Sequence, residues 1–162
     1  MSSKGATPIS DHPMPNTYTQ LYVQFVFAVQ NRAPLIKEDI RVPIEKYMYG
    51  IITQMNHKML AIYCMPDHCH ILVGMHPSQS VSDLARMVKS NSSKWINAEK
   101  LTRPTFRWQE GYGAFSYAKS QKEQVINYIL KQPEHHKKRS FQEEYLDFLR
   151  KFEVEYDERY IF

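Results

Sequence analysis

The chain has 162 residues, 43% of them hydrophobic and 13% aromatic, with a net charge of +4. That length suits one domain with its own core, and a mean hydropathy of −0.54 without any apolar run near about 18 residues excludes a transmembrane span and a largely disordered chain. Two cysteines, Cys64 and Cys69, are too few for a disulfide framework, and MSSKGATPISDHPMPN has no apolar segment to act as a secretory signal, so the expected location is the reducing cytoplasm.

The charge is unevenly spread. Residues 1–139 carry 18 basic against 10 acidic side chains, residues 140–162 carry 3 against 7, and residues 86–139 alone hold 12 against 4. Such a basic stretch suits either an ordinary solvated surface or a polyanionic partner.

In chain order, residues 1–16, with Pro8, Pro13 and Pro15, read as a disordered N-terminal tail. Thr17 to Gln30 is β-branched and aromatic, and reads as a strand with Leu21, Val23, Phe25, Phe27 and Val29 on one face. Asp39 is expected to cap a helix in which Ile40, Ile44, Tyr47, Ile51 and Met55 recur at helical spacing and Pro43 falls in the first turn. Leu60–Met65, the turn formers Pro66-Asp67, and His68–Met75 predict a β-hairpin. Ser80 or Ser82 opens a second helix to about Glu99, with Val81, Leu84, Ala85, Val88 and Trp95 as its buried stripe.

After Gly111-Tyr112-Gly113 comes a short strand, Ala114–Ala118. A third helix is expected from Gln121 to about Gln132 with Val125, Ile126, Ile129 and Leu130 inward, then a terminal helix from Phe141 to Phe152 and an acidic tail over 153–162. The order β-α-β-β-α-β predicts an α+β, ferredoxin-like (RRM-like) domain over 17–152. It has an antiparallel four-stranded sheet with helices on one face, plus C-terminal helices. The second sheet face is expected to be available for chemistry.

Two short patterns carry that chemistry. In His68-Cys69-His70, strand alternation puts both imidazoles on one face, roughly 7 Å apart, and sends Cys69 to the other. Such a pair is either two legs of a metal site or two surface histidines. Tyr128 and Gln132 lie four apart on the third helix and share a face, and Pro133 puts Gln132 at a helix end or kink. The opposite orientation of Cys69 argues against zinc held by Cys64, His68, Cys69 and His70. His135-His136, beside Lys137-Lys138-Arg139, reads as surface rather than as further ligands.

Taken together, YCMPDHCHILVGM, RWQEGYGAFSYAKSQ and VINYILKQPEHHKK resemble the single-strand DNA transposases of the bacterial insertion sequence 200/605 family, within the HUH superfamily of single-tyrosine nucleases. The resemblance runs from about Tyr18 to Tyr145. It implies that His68, His70 and Gln132 are metal ligands, that the metal is Mg²⁺ or Mn²⁺, and that Tyr128 is the nucleophile that forms a 5′-phosphotyrosine. It further implies DNA with hairpins at the element's ends as partner, and a homodimer whose active sites are shared between subunits. Phosphate contacts are expected from Arg86, Lys89, Lys94, Arg103 and Arg107, with Tyr112 stacking on an unpaired base. Two rivals are a non-cleaving single-stranded DNA- or RNA-binding module and a host-adapted relative that cleaves palindromic repeats. The terminal YDERYIF reads equally as a swapped arm, a dimer contact or a frayed end.

Overall fold

The structure, a computed structural model, describes residues 17–160, so the predicted tail at 1–16 and the last two residues lie outside the described residues. Four strands, β1 (Tyr22–Ala28), β2 (Lys58–Cys64), β3 (His68–Gly74) and β4 (Gly113–Tyr117), form one antiparallel sheet in the order β2-β3-β1-β4. That is the ferredoxin-like arrangement the sequence predicts. β1 is shorter than expected at both ends. Val29 makes only an isolated bridge to Trp108, and Gln30–Arg32 turns away through Asn31 and Arg32 at φ 59° and 51°. Beyond Ala28, which faces His68, β3 has no residue left to pair with.

The first sheet face carries the main core. Val23, Phe25 and Phe27 of β1, Val29 just after it, and Cys69, Ile71 and Val73 of β3 pack against helices α1 (Glu38–Gln54) and α2 (Val81–Ala98). The centre of the α1 stripe is Ile44, Met48 and Ile52, with the expected Ile40, Ile51 and Met55 at its margin. Lys37, not Asp39, is the N-cap and makes no side-chain bond, so Pro43 lies in the second turn, where its missing N–H costs one helical hydrogen bond. Glu38 and Asp39 instead place negative charge in the first turn, where it complements the helix dipole. α2 is capped by Ser80, whose Oγ accepts from Asp83 N at 3.0 Å. Its stripe continues through Ser92 and Ile96, because Trp95 leaves it to stack on Tyr47 at 4.4 Å. Ser92 Oγ accepts from Trp108 Nε1 at 2.9 Å, which satisfies both buried groups.

The second sheet face, expected to be free, is roofed by the C-terminal helices. α3 (Lys122–Leu130) brings Val125 and Ile129 onto Ala61 and Leu72. α5 (Phe141–Lys151) brings Phe141, Phe148 and Leu149 onto Val26, Ala28 and Phe115. Burying this apolar surface is favourable at about 25 cal/mol per Å², and an uncovered sheet would have exposed it. The third helix stops at Lys131 (φ −101°, ψ 20°), and Gln132 starts a separate turn, α4 (Gln132–His135). Leu130, expected inward, is 51% exposed because the chain turns there. Gly113 sits where a side chain could not: a Cβ would lie 2.8 Å from the Tyr145 ring.

Met48 is fully buried at the middle of α1 against the sheet. Met48→Ala is expected to cost about 2–5 kcal/mol of unfolding free energy, measured by urea titration. A loss below about 1 kcal/mol would mean that α1 is not held by this stripe.

Candidate active site

The site grows from the pairing of β1 with β3. Alternation sends Cys69, Ile71 and Val73 into the first core and turns His68 and His70 to the second face. Register places Gln24 of β1 on the same face, two pairs along from Val26↔His70. Gln24 Oε1 lies 2.9 Å from His70 Nδ1, and its Nε2 donates to Tyr117 Oη at 2.8 Å. His68 Nδ1 lies 2.7 Å from Asp67 Oδ1, in the hairpin turn. With both Nδ1 atoms facing an acceptor, each imidazole keeps an N–H there and turns its Nε2 inward.

Three further side chains meet those Nε2 atoms. Gln132, at the helix break the sequence predicts, puts Oε1 3.3 Å from His68 Nε2 and 2.9 Å from His136 Nε2. His136 therefore points inward, contrary to the surface reading, because the α4 turn swings it over the sheet. Its ring lies 4.6 Å from that of His68. Glu144, from α5, comes within 2.9 Å of His70 Nε2, 3.4 Å of His136 Nε2 and 3.8 Å of His68 Nε2 through Oε1. Its Oε2 accepts from Gln132 Nε2 at 3.1 Å and from the Tyr128 hydroxyl. Ligand atoms of His68, His70, His136 and Glu144 all lie within 4.8 Å of one another. Imidazole nitrogens, an amide oxygen and a carboxylate form a donor set that fits a divalent cation. Cys64 and Cys69 lie on the other face, 3.4 Å apart as free thiols, so they share no site with the histidines.

Sequence reasoning missed Glu144. The available signal was its place among Phe141, Phe148 and Leu149 on the buried face of α5, where a lone carboxylate needs partners. Burial by itself would raise its pKa, but the charge of His70 and hydrogen bonds with His136, His70 and Tyr128 hold it well below the carboxylate range. Burial pushes His68 down, against the Asp67 contact. Burial first, and then the Glu144 charge, push the Tyr128 phenol well up. Tyr128 stacks on His135 at 4.3 Å and also accepts from Arg139 Nη2 at 3.4 Å.

The residues expected at nucleic acid separate into two groups. Arg86, Lys89, Arg107 and Tyr112 line one groove of about 500 Å³ between α2 and the segment before β4. Lys94 and Arg103 are exposed but line no part of it. Lys89 is half-buried, with Nζ donating to the carbonyls of Gln109 at 2.7 Å and Gly111 at 2.6 Å. Its ammonium holds that segment in place instead of standing free. Tyr112 is 37% exposed, whereas Phe115 is core. Among the described residues no helix is long and apolar enough to cross a membrane.

Comparison with known proteins matches residues 17–132 to the family described as "Transposase IS200 like". A curated relative, the ISDra2 transposase TnpA of Deinococcus radiodurans, is 22% identical over 119 residues, spanning 70% of this chain and 84% of that one. A solved structure described as a candidate transposase from Deinococcus radiodurans superposes with a TM-score of 0.60 at 21% identity, over 75% of this chain and 97% of that one. A REP-associated tyrosine transposase bound to a REP hairpin gives a TM-score of 0.55 at 13% identity, over 77% of this chain and 74% of that one. The family match ends at Gln132, so His136, Arg139 and Glu144 lie beyond it.

His68 and Glu144 are both depressed in the folded chain, so the unfolded chain protonates first as the pH falls below their ordinary values of 6.5 and 4.5. Stability must then decline with acidification through that window, and the Glu144 part of the loss sets in lowest. Glu144→Gln is expected to flatten the acid end of stability against pH, read by urea unfolding at successive pH values. A mutant curve parallel to wild type would show that Glu144 carries no such linkage.

Proposed function

The chain belongs to the IS200-like transposase family, and from that premise we propose that it cuts and rejoins single-stranded DNA through a 5′-phosphotyrosine on Tyr128. The observation that carries this reading is the meeting of the Tyr128 hydroxyl and His70 Nε2 on one buried carboxylate, beside His68 and Gln132. Nucleophile and candidate ligands thereby share one site. Residues 17–152 are taken as the catalytic domain.

His68, His70 and Gln132 are the proposed ligands of Mg²⁺ or Mn²⁺, and Glu144 is the nearest additional carboxylate. A divalent ion bound there would draw on the Glu144 charge, polarise the non-bridging phosphate oxygens and steady the departing 3′-oxygen. The protein groups do the rest. Asp67 and Gln24 fix the two imidazoles by their Nδ1 contacts. Glu144 Oε2 receives the Tyr128 proton as the Oη–P bond forms and the P–O3′ bond breaks, and the 3′-oxygen takes a proton from solvent. The phosphotyrosine conserves the bond energy, so a strand's 3′-hydroxyl can reverse the step with no added energy source.

Arg86, Arg107 and Tyr112 are the proposed contacts along the strand, with Lys94 and Arg103 meeting phosphates farther out and Lys89 supporting the groove wall. A hairpin-ended single strand is the proposed substrate, and a homodimer would hold two ends at once. Within one chain Tyr128 reaches its own histidine pair. In the shared arrangement, α3 of one copy would bring Tyr128 to the histidine pair of the other. The REP hairpin bound by one structural neighbour favours a second reading, a relative that cleaves repeated palindromes by the same chemistry.

Incubation with a labelled hairpin-bearing strand and Mg²⁺ or Mn²⁺ should yield a denaturant-stable protein–DNA adduct. None is expected with Tyr128→Phe or in chelator. Persistence of the adduct in Tyr128→Phe would reject the nucleophile, and binding without any adduct would favour the non-cleaving module. Which hairpin is cut, one from an element end or a repeated palindrome, decides between the two cleaving readings. Mixing Tyr128→Phe with His68→Ala restores cleavage only if sites are shared between subunits. Arg86→Ala and Arg107→Ala should each weaken DNA binding and lower the salt slope by about one. An unchanged slope would remove the groove from the interface.

A further inference from the structure

We infer that Arg139 is a catalytic residue that binds the scissile phosphate, in a cleft that opens beside Tyr128, and that Asp147 holds that place while DNA is absent. The inference rests on the reading of Tyr128 as nucleophile. It concerns a residue beyond the stretch matched to the family.

The cleft encloses about 160 Å³, and its wall includes Tyr128, Glu144, Arg139, Asp147 and Lys151 but neither His68 nor His70. It therefore reaches the nucleophilic oxygen from the side the histidines do not occupy. Arg139 bridges the two parts of this wall. Its Nη2 contacts Tyr128 Oη at 3.4 Å while its Nη1 is paired with the Asp147 carboxylate. The guanidinium fork that grips a carboxylate grips two phosphate oxygens in the same way. Asp147 is half exposed, on the outer face of α5, so it can turn to solvent when a phosphate arrives. An exposed pair of this kind contributes little to holding a fold, which leaves its position beside Tyr128 unexplained by stability.

The remaining wall suits a nucleotide. Gln121 and Gln124 line it from α3 and the turn before it, and Lys151, one helical turn beyond Asp147 on α5, adds a second cation. With Asp147 displaced and Glu144 engaged by the histidines, Arg139 and Lys151 make the opening attractive to an anion. A phosphate held on Arg139 lies next to Tyr128 Oη. Attack then forms the Oη–P bond, breaks the P–O3′ bond and builds charge on oxygens that the guanidinium already contacts. Arg139 gives up no proton in this step.

Strands carrying a single phosphorothioate of either configuration at the scissile position test the assignment, with single-turnover adduct formation followed in Mg²⁺ and in Mn²⁺. Arg139→Ala is expected to slow the oxygen substrate ~100-fold, and Arg139→Lys less, because Lys keeps the charge without the fork. One sulfur diastereomer should slow wild type in a way that Mn²⁺ does not relieve, and that difference should vanish in Arg139→Ala. Asp147→Asn should form the adduct faster than wild type. A sulfur effect as large in Arg139→Ala as in wild type, or an Asp147→Asn loss matching that of Arg139→Ala, would overturn the inference and leave only a pair pinning α5. Should Arg139→Ala fail to fold, Arg139→Lys is put through the same comparison, with a reduced sulfur effect expected and an undiminished one overturning the inference. No adduct from wild type would remove the Tyr128 reading along with this one, whereas an adduct with an unchanged sulfur effect removes this one alone.

Discussion

The Glu144 carboxylate has no solvent exposure and sits on a helix face otherwise made of Phe141, Phe148 and Leu149. A lone charge in such a place would cost several kcal/mol. It persists because His70, His136, Gln132 and Tyr128 all direct polar atoms at it from three different parts of the chain. Each contact ties one element to the second sheet face: β3 through His70, α3 through Tyr128, and the α4 turn through Gln132 and His136. Phe141 adds a stacked contact on His68 at 4.0 Å. The fit of α5 over the sheet and the geometry of the site are thus a single arrangement.

That arrangement sets what the site can do. The imidazoles are orientated from outside, by Asp67 and Gln24, and so present fixed donors inward. Tyr128 is held between an anion and a cation, Glu144 and Arg139, with its ring stacked on His135. Burial first, and then the Glu144 charge, push the phenol pKa up against the opposing Arg139 contact. Glu144 and Arg139 thus act with opposite charge on the same oxygen. The groove lined by Arg86, Arg107 and Tyr112 adjoins the first-face helix α2 and is built separately from this cleft.

Much of this was legible in the residues, for identifiable reasons. Strand period two separated His68 and His70 from Cys69, and Pro133 marked the break that frees Gln132. Ser80 announced one helix start, and its side chain accepts from the backbone three residues on. Other features resisted reading. Lys89 looked like one more basic residue on a helix face, but the carbonyls it binds come from about twenty residues downstream, and no local pattern encodes them. His136 looked like part of a basic surface run, and only the turn at α4 carries it inward.

By itself the sequence determined the order of elements, the two faces of the sheet and the residue types that bear the chemistry. These follow from periodicity and from turn-forming residues, which are local. Only the tertiary structure decided that the second face is roofed, that Glu144 stands at the focus of the site, and that Arg139 reaches Tyr128. Those are meetings between residues separated by 11 to 74 positions. They are fixed by the burial of α5 against Val26, Ala28 and Phe115, a packing contact between distant segments that no spacing within either segment specifies.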